Sequence, residues 1–254
     1  MIKLHHLNCV KLVTPIAENV SGHCLLLDEN GKLVLIDTGI GLLDTLQPFE
    51  RIGKDLIDKI GYRFDEKLTA IYQVKALGYD PEAVTDCIIS HLDNDHIGGL
   101  PDFPGAVVHV AAEELQNFKS GNVRYLRPAL EHGPTIKTYG SSVSEWFGFE
   151  ARRVDANTET EILLIPLFGH SRGHCGVALR IDAQWIFYVG DAYYLRIELD
   201  NETHPVTQLA RANADDNDMR IASLGKIRQL AKDHPEIQFF GYHDIDEFRQ
   251  FKKP

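Results

Sequence analysis

The stretch SHLDNDHIGG at 90–99 puts two imidazoles and two carboxylates, His91, Asp93, Asp95 and His96, within six positions. Imidazole and carboxylate are the side chains that divalent cations take as ligands, and such density points to metal-dependent chemistry. His91 and Asp93 are two residues apart, so an extended chain turns both to one side. Asp95 and His96 are adjacent and diverge, which suits a second ion better than the first. Gly98 and Gly99 then let the chain turn closely into the next element. Three more candidates each follow an apolar run: His170 in FGHSRGH, Asp191 in YVGDAYY and His243 in FGYHDID.

Those apolar runs are the elements that must position the ligands. Residues 24–39, CLLLDENGKLVLIDTG, read as strand, Asn-Gly turn and strand. Residues 40–66 are mixed and amphipathic, helical in part, with no assigned chemistry. The apolar spacing over 68–84 predicts a helix, closed by Gly78 and Pro81. A short buried strand at 85–90 delivers the cluster, followed by a strand at 106–110 and a helix at 111–118. Residues 119–160, with several Gly, Ser and Pro, are expected to be irregular.

The second half repeats this grammar. A strand over 160–167 leads to His170, and a hairpin over 175–194 leads to Asp191. The segment 216–236 is a helix whose acidic start and basic later turns match the helix dipole. A last strand within 237–246 opens onto His243. Every candidate ligand thus follows the C-terminal end of a predicted strand, the edge at which α/β proteins place their sites. Strands followed by helices in both halves predict a layered α/β fold with mixed sheets.

The 254 residues are 44% apolar and 25% charged, enough for one domain over 1–254 with a core that needs no disulfides. The net charge of −11, with no Lys- or Arg-rich run, argues against a nucleic-acid partner. No run approaches the apolar length of a membrane span, and the N-terminus lacks a signal-peptide core, so no membrane partner is expected. Cys9, Cys24, Cys87 and Cys175 are scattered and read as reduced thiols. A cytoplasmic protein is expected.

The cluster at 91–96, with LVLIDTG, GHSRGH, GDAYY and the final His243, resembles the metallo-β-lactamase superfamily over residues 22–246. The pattern there is H-x-H-x-D-H, then a distant His, an Asp and a last His. The ending GYHDID and Tyr194, three residues after Asp191, look most like the compact N-acyl homoserine lactonase-like hydrolases. The resemblance implies a four-layer αββα sandwich with two mixed sheets. It assigns His91, Asp93 and His170 to one divalent ion and Asp95, His96 and His243 to a second, with Asp191 bridging them. Ions about 3.5–4 Å apart share a hydroxide that attacks an ester-type carbonyl. A lactone is the expected small-molecule substrate, and the protein is expected to be a monomer or homodimer. No serine nucleophile is needed, in keeping with the lack of a G-x-S-x-G motif.

By the same resemblance Asp95 and Tyr194 are the expected catalytic residues, with the Tyr194 phenol donating to a developing oxyanion or leaving alkoxide. Asp37 resembles a residue that braces the metal loop, and His174 is structural. Tyr125 and His132 lie in the irregular RYLRPALEHGP and are expected to contact substrate. His5, His6, His23, His109, His204 and His234 have no convergent partners in the sequence.

Asp93 is the departure, because the family pattern has histidine there. The usual five His and two Asp, with two divalent ions and a hydroxide, sum to +1. Four His and three Asp sum to zero. A more anionic set weakens the ions as Lewis acids and moves preference toward Mn or Fe, although Zn remains the first expectation. Alternatives left open are thioester or phosphodiester hydrolysis, a di-iron oxygen-reducing site served by an external flavin partner, and a non-catalytic metal-binding protein.

Overall fold

The structure is a computed structural model and describes residues 2–17 and 19–251. Six strands form a first sheet in chain order: β1 (Ile2–Leu12), β2 (Val20–Glu29), β3 (Lys32–Ile36), β4 (Val84–Ile88), β5 (Val107–Ala111) and β6 (Ile136–Tyr139). The first three pair antiparallel, and β3 through β6 pair parallel. A hairpin of β7 (Glu145–Trp146) and β8 (Phe149–Glu150) precedes the second sheet. That sheet contains β9 (Arg152–Arg153), β10 (Glu161–Pro166), β11 (Cys175–Ile181), β12 (Gln184–Tyr188) and β13 (Gln238–Phe240), in the order β13-β12-β11-β10-β9. Its β12–β13 pair is parallel and its other pairs are antiparallel. Both sheets are therefore mixed, as expected.

The helices fill the connections. Between β3 and β4 run α1 (Leu42–Leu46), α2 (Pro48–Arg51), α3 (Lys54–Ile60) and α4 (Ala70–Ala76). The short α5 (Asn94–Ile97) follows β4, and α6 (Ala112–Lys119) follows β5. In the second half α7 (Pro205–Asn213) and α8 (Asn217–Asp233) precede β13, and α9 (Ile245–Phe251) follows it.

Side-chain alternation explains the layering. On β10, Ile162 and Leu164 join Val177, Leu179 and Tyr188 in the core shared with Leu25, Leu27 and Leu35 of the first sheet. Leu163 and Ile165, pointing the other way, pack with Phe187 and with Leu224, Ile227 and Leu230 of α8. A period of two thus sends alternate residues into two cores, one between the sheets and one under the helices. Strands covered on both faces read as unbroken apolar runs, which is why the sequence discloses them. The turn joining β2 and β3 has Asn30 at φ 56° and Gly31 at φ 88°, the left-handed pair that a two-residue hairpin requires.

Three expectations need correction. Residues 119–160 are not irregular throughout, since they contain β6, the β7–β8 hairpin and β9. The sequence reading also lacked β1 and α7. Finally, several histidines thought to lack partners are paired. His109 lies between Asp86 and the Tyr139 hydroxyl, 2.7 Å from each. His6 Nδ1 and His23 Nε2 are 2.7 Å apart, with Phe251 stacked on one ring and Phe240 on the other.

The His6–His23 pair has a measurable consequence. Burial pulls His6 from 6.5 down to about 4 and His23 well below its ordinary value. A folded pKa below the unfolded one means the unfolded chain takes up protons first. Stability is then complete above about pH 6.5 and is lost as pH falls toward 4. The unfolding free energy of wild type, minus that of His6→Phe, is expected to shrink across this window. Urea unfolding at stepped pH measures the difference, which cancels the histidines remote from His6 and includes the response of His23. Parallel profiles would contradict the burial of His6 as a neutral imidazole.

Candidate metal centre

The strands bring every sequence-predicted ligand to one edge. His91 follows β4, His170 follows β10, Asp191 follows β12 and His243 follows β13, each just past the C-terminal end. Asp95 and His96 ride on α5. His91, His170 and Asp191 form one group of ligand atoms and Asp95, His96 and His243 a second, all within 4.8 Å of one another in each group. Asp191 spans both. Its Oδ2 is 3.5 Å from His170 Nε2, 4.0 Å from His91 Nε2 and 3.3 Å from His243 Nε2, while its Oδ1 is 3.4 Å from His96 Nε2.

Tetrahedral coordination with metal–ligand bonds of about 2.0–2.1 Å sets ligand atoms about 3.3 Å apart. In the first group His91 Nε2 and His170 Nε2 meet this spacing at 3.2 Å, and Asp191 Oδ2 lies 3.5 and 4.0 Å from His170 and His91. His96 Nε2 and Asp191 Oδ1 are buried without a hydrogen-bond partner, as groups reserved for a cation would be. These residues fit divalent ions.

Three of the four imidazoles are aimed by the atoms behind them, whereas His170 Nδ1 is buried without a hydrogen-bond partner. His96 Nδ1 donates to Asp37 Oδ2 at 2.8 Å, His243 Nδ1 to the Ser21 carbonyl at 3.0 Å and His91 Nδ1 to Ser90 Oγ at 3.1 Å. Each bond occupies Nδ1 and turns Nε2 toward the centre. Asp37 occupies its strained position at φ 52° and also accepts from the Ser90 amide, the Ser90 hydroxyl and the Tyr188 hydroxyl. This is the bracing role expected of it. His174 is structural: its Nδ1 donates to the Leu167 carbonyl, and its Nε2 accepts from the Asp191 amide, both at 2.9 Å.

Electrostatics follow from burial and proximity. Burial, then the neighbouring His96, keeps His91 neutral well below its usual pKa. At His96 burial is outweighed by Asp191 and Asp37, which raise it well above 6.5, and Asp191 likewise raises His243. Burial would push Asp191 up, but His243 and His96 hold it well below the usual carboxylate range. Burial raises Asp95. A cation entering the centre displaces the protons on these histidines, so its affinity falls in acid.

Asp93 has a neighbour the sequence did not suggest. Its Oδ2 lies 3.1 Å from His170 Nε2 and 3.3 Å from His91 Nε2, within the spacing of the first group. Yet Arg124 grips both its oxygens, Nε to Oδ1 at 2.8 Å and Nη2 to Oδ2 at 2.7 Å. The zero charge computed from ligands alone therefore omits a cation in direct contact. Asp93 stands at the N-cap of α5 but makes no side-chain cap, since its carboxylate is turned inward.

The remaining site expectations divide. The Tyr194 ring lies 5.7 Å from that of His170 and 5.4 Å from that of His243, over both groups. Burial and then Asp191 push its phenol up, so it is a proton donor at neutral pH. Tyr125 is not at the centre. It is buried, donating to Glu114 Oε1 at 2.8 Å and accepting from Asn117 at 2.7 Å. His132 is exposed in a turn, and no ligand group includes it. Glu114 was missed. Fully buried on α6, it accepts from the Leu92 amide, Ser171 Oγ, the Gly173 amide and Tyr125, tying the His91 loop to the His170 loop.

Residues 17–243 match the sequence profile of the metallo-β-lactamase superfamily. The chain belongs to this superfamily. A probable metallo-hydrolase of Mycobacterium tuberculosis is 32% identical over 98% of this chain and 82% of its own length. An N-acyl homoserine lactonase of a Bacillus species is 22% identical over 90% of this chain and 83% of its own. Among solved structures, a variant of B. thuringiensis AiiA with N-decanoyl-L-homoserine at its active site superposes with a TM-score of 0.75 at 19% identity. It covers 98% of this chain and 95% of its own. That likeness shows the metallo-β-lactamase fold, which implies divalent ions, and membership of the superfamily supports a metal-dependent hydrolase.

Proposed function

We propose that this protein is a dinuclear enzyme of the superfamily that opens an ester-type bond, with a lactone as substrate. His91, Asp93 and His170 hold the first ion, Asp95, His96 and His243 the second, and Asp191 bridges them. When bound, divalent ions supply an acidified water and electrophilic pull on a carbonyl oxygen. Zinc is the first choice for a mixed imidazole and carboxylate set.

The observation that carries the reading is Tyr194, whose neutral phenol stands above both ligand groups with Asn213 Nδ2 3.4 Å from its oxygen. There it donates to the carbonyl oxygen as negative charge develops. Ring opening consumes one water. Asp95, its carboxyl raised by burial, accepts that water's proton and returns it to the leaving alkoxide. A single domain and a reducing compartment agree with the core shared by both sheets and with four buried, unpaired cysteines. No helix of the described residues is long and apolar enough to cross a membrane.

The test is a pH-stat panel of lactones, thioesters, phosphodiesters and β-lactams with protein loaded with Zn or Mn. Lactones, N-acyl homoserine lactones among them, are expected to give the highest kcat/KM. Tyr194→Phe is expected to lower that value by about 100-fold with metal content unchanged. Preferred turnover of another class, or no turnover by fully loaded protein, would overturn the reading.

A further inference from the structure

We propose that Arg124 is a positioning residue that makes Asp93 usable as a ligand, so that residues 93 and 124 act as one unit at the first metal position. The inference rests on the two-ion reading but not on the substrate. The guanidinium meets Asp93 in the bidentate fork that fixes a carboxylate in both direction and plane. It is itself held from behind. Arg124 Nη1 donates to the His170 carbonyl at 2.6 Å, to the Asn213 carbonyl at 3.2 Å and to Asp215 Oδ1 at 3.1 Å. Asp215 in turn accepts from Asn117 at 2.8 Å, Asn122 at 3.1 Å and the Arg172 amide at 3.2 Å. Asp93 is thereby drawn away from capping α5 and set facing His91 and His170.

The charges give the unit its purpose. Two divalent ions with Asp93, Asp95 and Asp191 carry +1, and Arg124 raises this to +2. Before Asp215, which also pairs with Arg124, is added, that equals the sum for two ions with the family's five His and two Asp. A carboxylate shared with a guanidinium donates less charge to a metal than a free one. The first position therefore keeps the character of a histidine-rich site while using an oxygen ligand. Histidine at 93 and arginine at 124 are incompatible by the same logic. An imidazole there leaves the guanidinium facing two ions, its Nη2 2.9 Å from His170 Nε2, with Asp215 as its remaining acidic partner.

The experiment uses full-length protein and reads metal content and chelator competition, not turnover. Asp93→His, which recreates the common family motif, is expected to weaken one of the two ions by about 10- to 100-fold. Adding Arg124→Met to Asp93→His is expected to restore most of that loss, a non-additivity that independent sites do not show. Arg124→Met alone frees the carboxylate, and the Mn-over-Zn affinity ratio at one site is expected to rise about tenfold. Should Asp93→His fail to fold, this ratio decides. Two tightly held ions in Asp93→His, additive effects, or an unchanged ratio would each overturn the proposal. Failure of lactone turnover with these metal results intact would instead strike only at the substrate reading.

Discussion

Replacing Asp191 with alanine is expected to remove both ions at once, whereas Asp95→Ala removes one. Asp191 Oδ2 faces His91, His170 and His243, and Oδ1 faces His96, so one side chain supplies an anion to both ligand groups. Asp95 groups with His96 and His243 alone, its Oδ2 3.7 Å from His243 Nε2. Without Asp191 the first position keeps two imidazoles and an Asp93 already shared with Arg124. The second keeps Asp95 and two imidazoles, and both lose the charge that holds them in register. Elemental analysis after gel filtration is expected to show two ions per wild-type chain, about one in Asp95→Ala and close to none in Asp191→Ala. Activity is expected to fall by about 1,000-fold or more in Asp191→Ala, the scale of losing a preorganised charge-stabilising group. One ion retained by Asp191→Ala would show two independent sites rather than a bridged centre.

What the sequence disclosed, and what it did not, follows from distance along the chain. Runs such as ILLIP and WIFYV end at their ligands because buried strands are apolar on both faces and the loops beyond them carry the chemistry. The ligand pattern is therefore local and periodic, and it survives in one sequence. Arg124 is different. It lies 31 residues beyond Asp93 in a stretch without periodicity, and only the packing of that stretch against the His170 loop brings the two together. The trace it left was indirect, since an extra carboxylate among metal ligands calls for a countercharge. Glu114 left less, because an acidic residue in the first turn of α6 looks like a dipole partner, not a buried acceptor for four donors. Tyr125 read as a pocket residue for the same reason in reverse. Its neighbours Glu114 and Asn117 turn it inward, and nothing in RYLRP reports that. β1 escaped because His5, His6 and Asn8 interrupt its apolar alternation, and His6 is accommodated by His23 of β2 and the Phe251 ring.

The largest expected loss of stability comes from Asp37→Asn, although the change preserves shape. Asp37 is fully buried and accepts four hydrogen bonds: the Ser90 amide at Oδ1, and Ser90 Oγ, His96 Nδ1 and the Tyr188 hydroxyl at Oδ2. An asparagine can present its carbonyl oxygen to only one of these two positions. If it faces the three donors, its amide nitrogen meets the Ser90 N–H, and two donors are left opposed. If it flips, three donors lose their acceptor. Either arrangement strands buried polar groups, at about 1–3 kcal/mol each, so about 3 kcal/mol is expected for the better one. At this chain length that corresponds to a fall in Tm of about 10 °C in metal-free protein. Tyr188→Phe removes one donor while Asp37 keeps three, and is expected to cost about 1 kcal/mol. The two variants also separate stability from metal binding. Asp37→Asn frees the His96 ring to change tautomer, which weakens the second ion by about 10- to 100-fold, and Tyr188→Phe leaves His96 bonded to Asp37. Thermal unfolding with chelator, followed by metal titration of the refolded protein, measures both. An Asp37→Asn protein within about 1 kcal/mol of wild type would mean that the carboxylate's charge is not what holds the metal loop.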